Sequence, residues 1–473
     1  MGLVRLVLFA PLLGPEAFGA FRLAGPLSLI LAAVGGLGLT ASHVRFLPEA
    51  QTISAGAASA FARRALGFSL AASLVLAVAL AAFAGPAARV AFTSDRFRPL
   101  VYAMVPGFVT WVAYLSFTGM AQGFGRFRDA AKAELLQNTV FTALGLTLLA
   151  AAPRRADLAL VASVVGNVAA IAWLAVRLGP SLPRPTSEDR AASAPLFARA
   201  VRYSLWFAAI PVASYLFEVT DRWLLAWHRD LRVSGAYALV ALASGGMVFL
   251  GGGISLVVAR RGAWHLARGQ GAAARRVVWT GVALTVAGSL VYSLAARGLA
   301  PLAWRLAGPE WAGAEAVLPL ALAGAGLGNA AYVLGAFAAL AEKPWMNLVA
   351  VAAGAAVNTG LGLAFIPAHG VSGAAWSALA AQAAMAVAFA GFAAWRGAAG
   401  GAGGGAGRWA LVALPALSAA PWPVFTSGLA LAVAAWWRGW AGLSRAGERR
   451  MVTVWLARLA GRARARLGAG AAV

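Results

Sequence analysis

Apolar runs of about 20 residues, each long enough to cross the roughly 30 Å hydrocarbon core of a bilayer as a helix, recur along almost the whole of this chain. No other feature constrains the fold as much. Lipid offers the backbone no hydrogen bonds, so a spanning segment must be a helix or a strand of a closed barrel. The runs are continuous rather than alternating apolar and polar, which selects helices over a barrel. Of the 473 residues 61% are apolar and only 11% charged, against about a quarter charged in an average soluble domain. No stretch is left over for a sizeable soluble domain.

The formal charge of +24 would point to nucleic acid in a soluble protein. Here the arginines sit between apolar runs instead of along one basic face, so no nucleic-acid partner is expected and membrane topology accounts for the charge. The chain has no cysteine, which excludes disulfides and thiolate chemistry.

Charged and Pro/Gly-rich breaks divide the chain. Spans are expected near residues 2–13, 23–43, 65–84, 99–121, 135–152 and 157–176, making an N-terminal lobe of six over 1–176. The segment 177–202, with Pro180, Pro183, Pro185 and Ser187-Glu188-Asp189-Arg190, reads as a polar loop linking two halves. A second six follow near 203–227, 235–259, 277–296, 314–341, 346–366 and 371–395, forming a C-terminal lobe over 203–396. Residues 397–407 are all Gly or Ala, a flexible tether to a last apolar stretch within 408–441. The Pro421-Trp422-Pro423 break splits that stretch into two short spans, for about 14 in all.

With the N-terminus inside, the cytoplasmic segments hold 28 of the Lys and Arg and the outer loops 10, with Arg222 alone inside a long span. That asymmetry obeys the positive-inside rule and places both termini and the 177–202 segment in the cytoplasm of a multi-pass protein. It also requires two spans after the tether, since one would carry the C-terminal arginines outside. Residues 442–473 are then a basic cytoplasmic tail, read either as a helix lying on anionic lipid, through Met451, Val454, Trp455 and Leu459, or as a solvated tail without a specific role. Residues 2–13 rise only about 18 Å as a helix, so the first span reads as truncated. Arg5 within it also allows a cleaved signal peptide.

Sliding the sequence by 216 positions pairs Gly19 with Gly235, Ala20 with Ala236, Leu23 with Leu239, Ser28 with Ser244, Gly35 and Gly36 with Gly251 and Gly252, and Arg45 with Arg261. Two six-span halves in the same orientation form a parallel repeat, the arrangement of many secondary transporters. Chance matching of Gly/Ala-rich spans, whose glycines serve helix packing, is the competing reading.

Four blocks in order carry a family likeness: the turn Leu13-Gly14-Pro15-Glu16-Ala17-Phe18-Gly19 with Val44-Arg45-Phe46 at the other end of the span; Asp221-Arg222 with Leu224 and Leu225; Ala307-Gly308-Pro309-Glu310-Trp311-Ala312; and Asn358 through Ile366-Pro367-Ala368-His369-Gly370-Val371-Ser372-Gly373-Ala374-Ala375. Over roughly residues 12–395 the chain resembles the polysaccharide flippases of the multidrug/oligosaccharidyl-lipid/polysaccharide (MOP) exporter superfamily. The resemblance implies an all-α integral membrane fold of two pseudo-symmetric six-helix lobes around a central cavity. It implies export of undecaprenyl-diphosphate-linked glycan across the bacterial cytoplasmic membrane by alternating access, with membrane lipids and polysaccharide-assembly machinery as surroundings. The short first span and the scarcity of evident cavity cations depart from the pattern.

Ionisable side chains at membrane depth are costly and face a cavity or each other. Glu218, Asp221 and Arg222 are the leading site residues: Glu218 precedes Arg222 by four, the favourable ion-pair order. On the functional reading Arg222 faces the substrate diphosphate, and Glu218 or Asp221 binds a coupling ion, H+ or Na+, or holds the arginine. The alternative is a neutralised structural cluster. Arg22, Arg45 and Arg261 are further substrate-binding candidates at span ends, although with His43 and Arg260 they read first as ordinary positive-inside anchors. Tyr102, Tyr114, Asn138, Asn167, Tyr215, Tyr332 and Asn358 read as helix glue or as sugar contacts.

Asp-x-Asp, Walker lysine and metal-binding His-pair motifs are absent from the sequence, so a transporter without cofactor is expected rather than an enzyme. A cation-coupled multidrug antiporter of the same superfamily is the nearest alternative. A membrane-bound glycan polymerase or glycosyltransferase would need a large outer loop or an acidic metal motif.

Overall fold

The computed structural model describes residues 2–308, 311, 313–336, 338, 343, 345–395 and 412–421. Among them regular structure is entirely helical, with no strand. Fourteen α-helices follow in order: α1 Gly2–Gly35, α2 Leu39–Ile53, α3 Ala55–Ala82, α4 Ala84–Phe92, α5 Arg98–Gly123, α6 Phe127–Ala151, α7 Ala156–Leu178, α8 Ser187–His228, α9 Leu231–Gly245, α10 Val248–Ala267, α11 Gly271–Ala307, α12 Leu318–Leu334, α13 Trp345–His369 and α14 Val371–Trp395. Eleven helical segments among the described residues are long and apolar enough to cross a membrane. The chain is therefore an all-α, multi-pass membrane protein.

The count differs from the expected 14 spans for two reasons. The first two expected spans are both present within α1 as two helices joined at Gly14, where φ is 68° and ψ 166°. The second folds back on the first, with the Phe9 and Phe21 ring centroids 6.2 Å apart, and only the segment from Leu8 is counted among the eleven. Pro15 then restarts the helix, because its fixed φ suits a first turn and its missing N–H is not needed there. The expected turn over Leu13–Gly19 is thus a single-residue break. The expected last pair, with the tether and the basic tail, lies outside the described residues except for 412–421.

Two further boundaries are corrected. The span expected to reach residue 43 stops at Gly35, and Leu37 and Gly38, with φ of 50° and 66°, turn the chain into α2. The polar loop expected over 177–202 is helical from Ser187 onward. Its Ser-Glu-Asp run is a helix start: the Thr186 hydroxyl accepts from the Asp189 N–H at 3.2 Å while Asp189 accepts from the Thr186 N–H at 3.0 Å, a capping box. Asp189 also accepts from Ser54, the N-cap of α3, at 2.6 Å. One carboxylate thereby ties two helix starts together.

The described residues group into two compact units. Unit 1 comprises Met1–Gly246, Ala295–Ala321 and Pro344–Met385. At one of its ends Phe46, Leu47, Phe61, Leu178 and Phe197 form an apolar core. At the opposite end α1 breaks, α5, α7 and α9 begin and α8 finishes. Gly19 of α1 and Gly235 of α9 meet there backbone to backbone, so closely that a Cβ on Gly235 would fall on the Pro15 carbonyl. These are two of the positions paired by the 216-residue repeat. Equivalent positions in contact are what a pseudo-two-fold axis between the two helices requires.

Unit 2 comprises Met247–Leu294, Leu322–Lys343 and Ala386–Val473. Within it Asn329 donates to the Met247 carbonyl at 2.7 Å, Gly281 lies against Val258 and Val333, and the Ser418 hydroxyl bonds that of Ser293 at 2.8 Å. The surfaces of both units invert the soluble pattern. Val75, Val78, Val176 and Val387 are strongly exposed while Ser42, Ser59, Ser69, Ser73 and Ser293 are buried, the arrangement expected where lipid is the solvent and small polar residues join helices.

Candidate functional site

Unit 1 brings together charged residues from two helices that are far apart in sequence. On α8 the four-residue spacing puts Glu218 Oε1 3.3 Å from Arg222 Nη2. On α1, Arg22 points its Nη2 to the same Glu218 oxygen at 3.7 Å. Arg222 is almost fully buried, and Glu218 leaves 43% of its side chain exposed. One half-open carboxylate is therefore shared by two guanidinium groups.

Asp221 is placed differently. It is buried, and its Oδ2 accepts the Tyr237 hydroxyl at 2.8 Å while Oδ1 accepts the Arg222 backbone N–H at 2.8 Å. Ser234 of α9 completes the joint by donating to the Arg222 carbonyl at 2.9 Å. Asp221 and Tyr237 thus fasten α8 to α9, and Glu218 alone faces the arginines.

Arg5 belongs to the same neighbourhood, near enough for its charge to act on Arg22. It donates to Asn138 Oδ1 of α6 at 3.1 Å and lies 3.8 Å over the Phe141 ring. In the sequence alone Arg5 reads as part of a truncated span or of a signal peptide. Its depth within an apolar helix was the signal available. With both acids ionised, Arg5, Arg22, Arg222, Glu218 and Asp221 carry one net positive charge.

Arg45 is elsewhere in unit 1, paired with Glu49 at 3.5 Å, and Glu49 also receives Arg199 at 2.8 Å. Arg261 is exposed on α10 in unit 2. His43 is fully buried, edge-on to Phe61 with centroids 6.2 Å apart.

The polar residues divide. Asn167 bonds Gln137 at 3.2 Å and Thr110 at 3.3 Å, and Asn358 of α13 donates to the Phe217 carbonyl of α8 at 3.1 Å. These join helices. Tyr102 and Tyr332 are exposed.

Residues 1–245, more than half of the 473, match the family described as polysaccharide biosynthesis protein. No curated protein matches the sequence. In fold the chain is similar to the lipid II flippase MurJ in its inward closed conformation, with a TM-score of 0.66 at 13% identity over 92% of this chain and 96% of that one. It is similar to an inward-facing multidrug resistance MATE family transporter of the MOP superfamily, with a TM-score of 0.65 at 14% identity over 84% and 93%. A MOP superfamily transporter from Pyrococcus furiosus is also similar, with a TM-score of 0.57 at 16% identity over 84% and 91%. At these identities the likeness is one of fold. On a helical architecture shared with transporters of the MOP superfamily, and with the family match covering more than half its length, the chain belongs to the polysaccharide biosynthesis protein family.

Proposed function

We propose that this chain is a flippase that exports an undecaprenyl-diphosphate-linked oligosaccharide across the bacterial cytoplasmic membrane by alternating access. The observation that carries the reading is the sharing of Glu218 by Arg22 and Arg222. With Arg5 added to the two guanidinium groups and Asp221 counted beside Glu218, one net positive charge is left where unpaired charge is costly. An anionic group arriving from the lipid phase relieves that cost, and a diphosphate is the anion that a lipid-linked glycan carries. Family membership supports the glycan half of the reading. Arg22 and Arg222 are the substrate-binding pair in this proposal, Glu218 is their exchangeable partner, and H+ or Na+ is the coupling ion. Transport here is binding and release rather than bond-making, so no catalytic residue is assigned.

The test is export in a strain lacking its own flippase, measured per folded molecule. Arg222→Gln should abolish export at normal protein level, and Arg222→Lys should keep part of it, because attraction to a diphosphate tolerates a point charge. Equal export by Arg222→Gln and wild type would remove Arg222 from the mechanism. If Glu218→Gln abolishes efflux of organic cations while glycan export is undetectable in wild type, the multidrug antiporter is the better reading, with the half-exposed Glu218 as its cation site.

A further inference from the structure

A cleft of about 380 Å³ opens in unit 1 where α1 breaks. Four arginines line it, Arg96, Arg154, Arg155 and Arg232, against two acids, Glu16 and Asp157. Both acids are already engaged. Glu16 is paired with Arg96, and Asp157 receives Arg155 through two hydrogen bonds of 2.9 and 2.7 Å. Among the described residues no carboxylate lies within ion-pairing distance of Arg154 or Arg232. The cleft therefore carries two uncompensated guanidinium groups.

The backbone around it is set up in the same sense. Arg154 holds a left-handed φ of 64°, costly for a residue with a Cβ, and its N–H donates to the Leu12 carbonyl at 3.0 Å, facing the Gly14 break. The helices α5 and α7 start at the cleft with Phe97 and Arg155 at their N-caps, and neither side chain caps the helix. The first-turn N–H groups of α5 add partial positive charge to that of the arginines, while those of α7 face the Asp157 carboxylate. Glu16 precedes Arg22 by six residues, about 9 Å along the helix, so the cleft is separate from the Glu218 cluster.

We propose that this cleft is a second anion site, one that takes a phosphate monoester or diphosphate group on Arg154 and Arg232. Two free guanidinium groups match a doubly charged phosphate, which accepts paired N–H donors from each. The volume suits a headgroup and no lipid chain. The inference stands whether or not the chain flips glycans, since it concerns binding alone. The phosphate has two possible sources, a lipid headgroup or a water-soluble phosphate, and the experiment separates them.

The chain has no cysteine, so Pro99→Cys, at an exposed position lining the cleft, gives a single reporter thiol in the full-length protein. The readout is its rate of labelling by an anionic methanethiosulfonate. In neutral detergent, inorganic pyrophosphate should slow labelling of Cys-bearing protein in a saturable way. Adding Arg154→Gln and Arg232→Gln should weaken that protection by about tenfold or more, whereas Arg128→Gln, at an exposed position away from the cleft lining, should leave it unchanged. In phosphatidylcholine vesicles without pyrophosphate, protection on adding polyprenyl phosphate to the bilayer identifies a headgroup as the source. Protection only by soluble pyrophosphate identifies a free phosphate. Absence of protection in both settings, or equal protection with and without the two arginines, overturns the proposal. Should the double substitution reduce folded protein, Arg232→Gln alone serves, with Arg232→Lys expected to restore protection.

Discussion

Glu218 and Asp221 lie three residues apart on one helix and have opposite surroundings. Glu218 is half exposed and faces two arginines, so its charge can be exchanged for that of an incoming anion. Asp221 is buried against Tyr237 and the Arg222 backbone, so its carboxylate is committed to the α8–α9 joint. Tyr237→Phe should therefore act on stability rather than on transport. Leaving a buried carboxylate oxygen without its hydroxyl donor costs about 1–3 kcal/mol. The expected result is a lower unfolding temperature of the detergent-solubilised protein with export per folded molecule retained. An unchanged unfolding temperature would mean that the Tyr237 hydroxyl does not support the joint.

At the scale of elements, the crossing of α1 and α9 depends on the absence of two side chains. Gly19 would direct a Cβ into the Leu231 carbonyl and the Gly235 backbone, and Gly235 would direct one into the Pro15 carbonyl. Gly19→Ala and Gly235→Ala should each destabilise the protein by roughly 1–3 kcal/mol, since the helices must separate to admit a methyl group. Gly25 on the same helix has nothing within 4 Å of its would-be Cβ. Gly25→Ala should be neutral or slightly stabilising, as alanine is the better helix former. Thermal unfolding of the three variants side by side checks this, and equal losses at all three positions would show that the crossing tolerates a wider approach. Interruptions follow the same logic: α1 breaks at Gly14 and restarts at Pro15, and α8 starts at a capping box, each break placed by residues that accept or require it.

For the whole molecule, eleven apolar helical segments among the described residues define a membrane protein, and its orientation follows from charge. The charge asymmetry of 28 against 10 predicts both termini and the 177–202 segment in the cytoplasm. Reporter fusions after Arg450 and within 177–186 should both report cytoplasm, and a periplasmic signal from the first would overturn the two-span reading of the last apolar stretch. By itself the sequence determined the helical membrane class, most span positions and the i, i+4 approach of Glu218 to Arg222. All of these depend on local composition and on spacing along one element. It also held the α8 start in Thr186 and Asp189, masked by the three prolines before them. Only the tertiary structure decided that Arg22 shares Glu218 across two helices, that Arg5 stands in the same neighbourhood, that Asp221 turns to Tyr237, and that Arg154 and Arg232 meet at one cleft. Contacts between residues 196 or more positions apart, as Arg22 and Glu218 are, are set by how helices cross, and a single sequence carries the apolar faces that drive the crossing but not the register in which they meet.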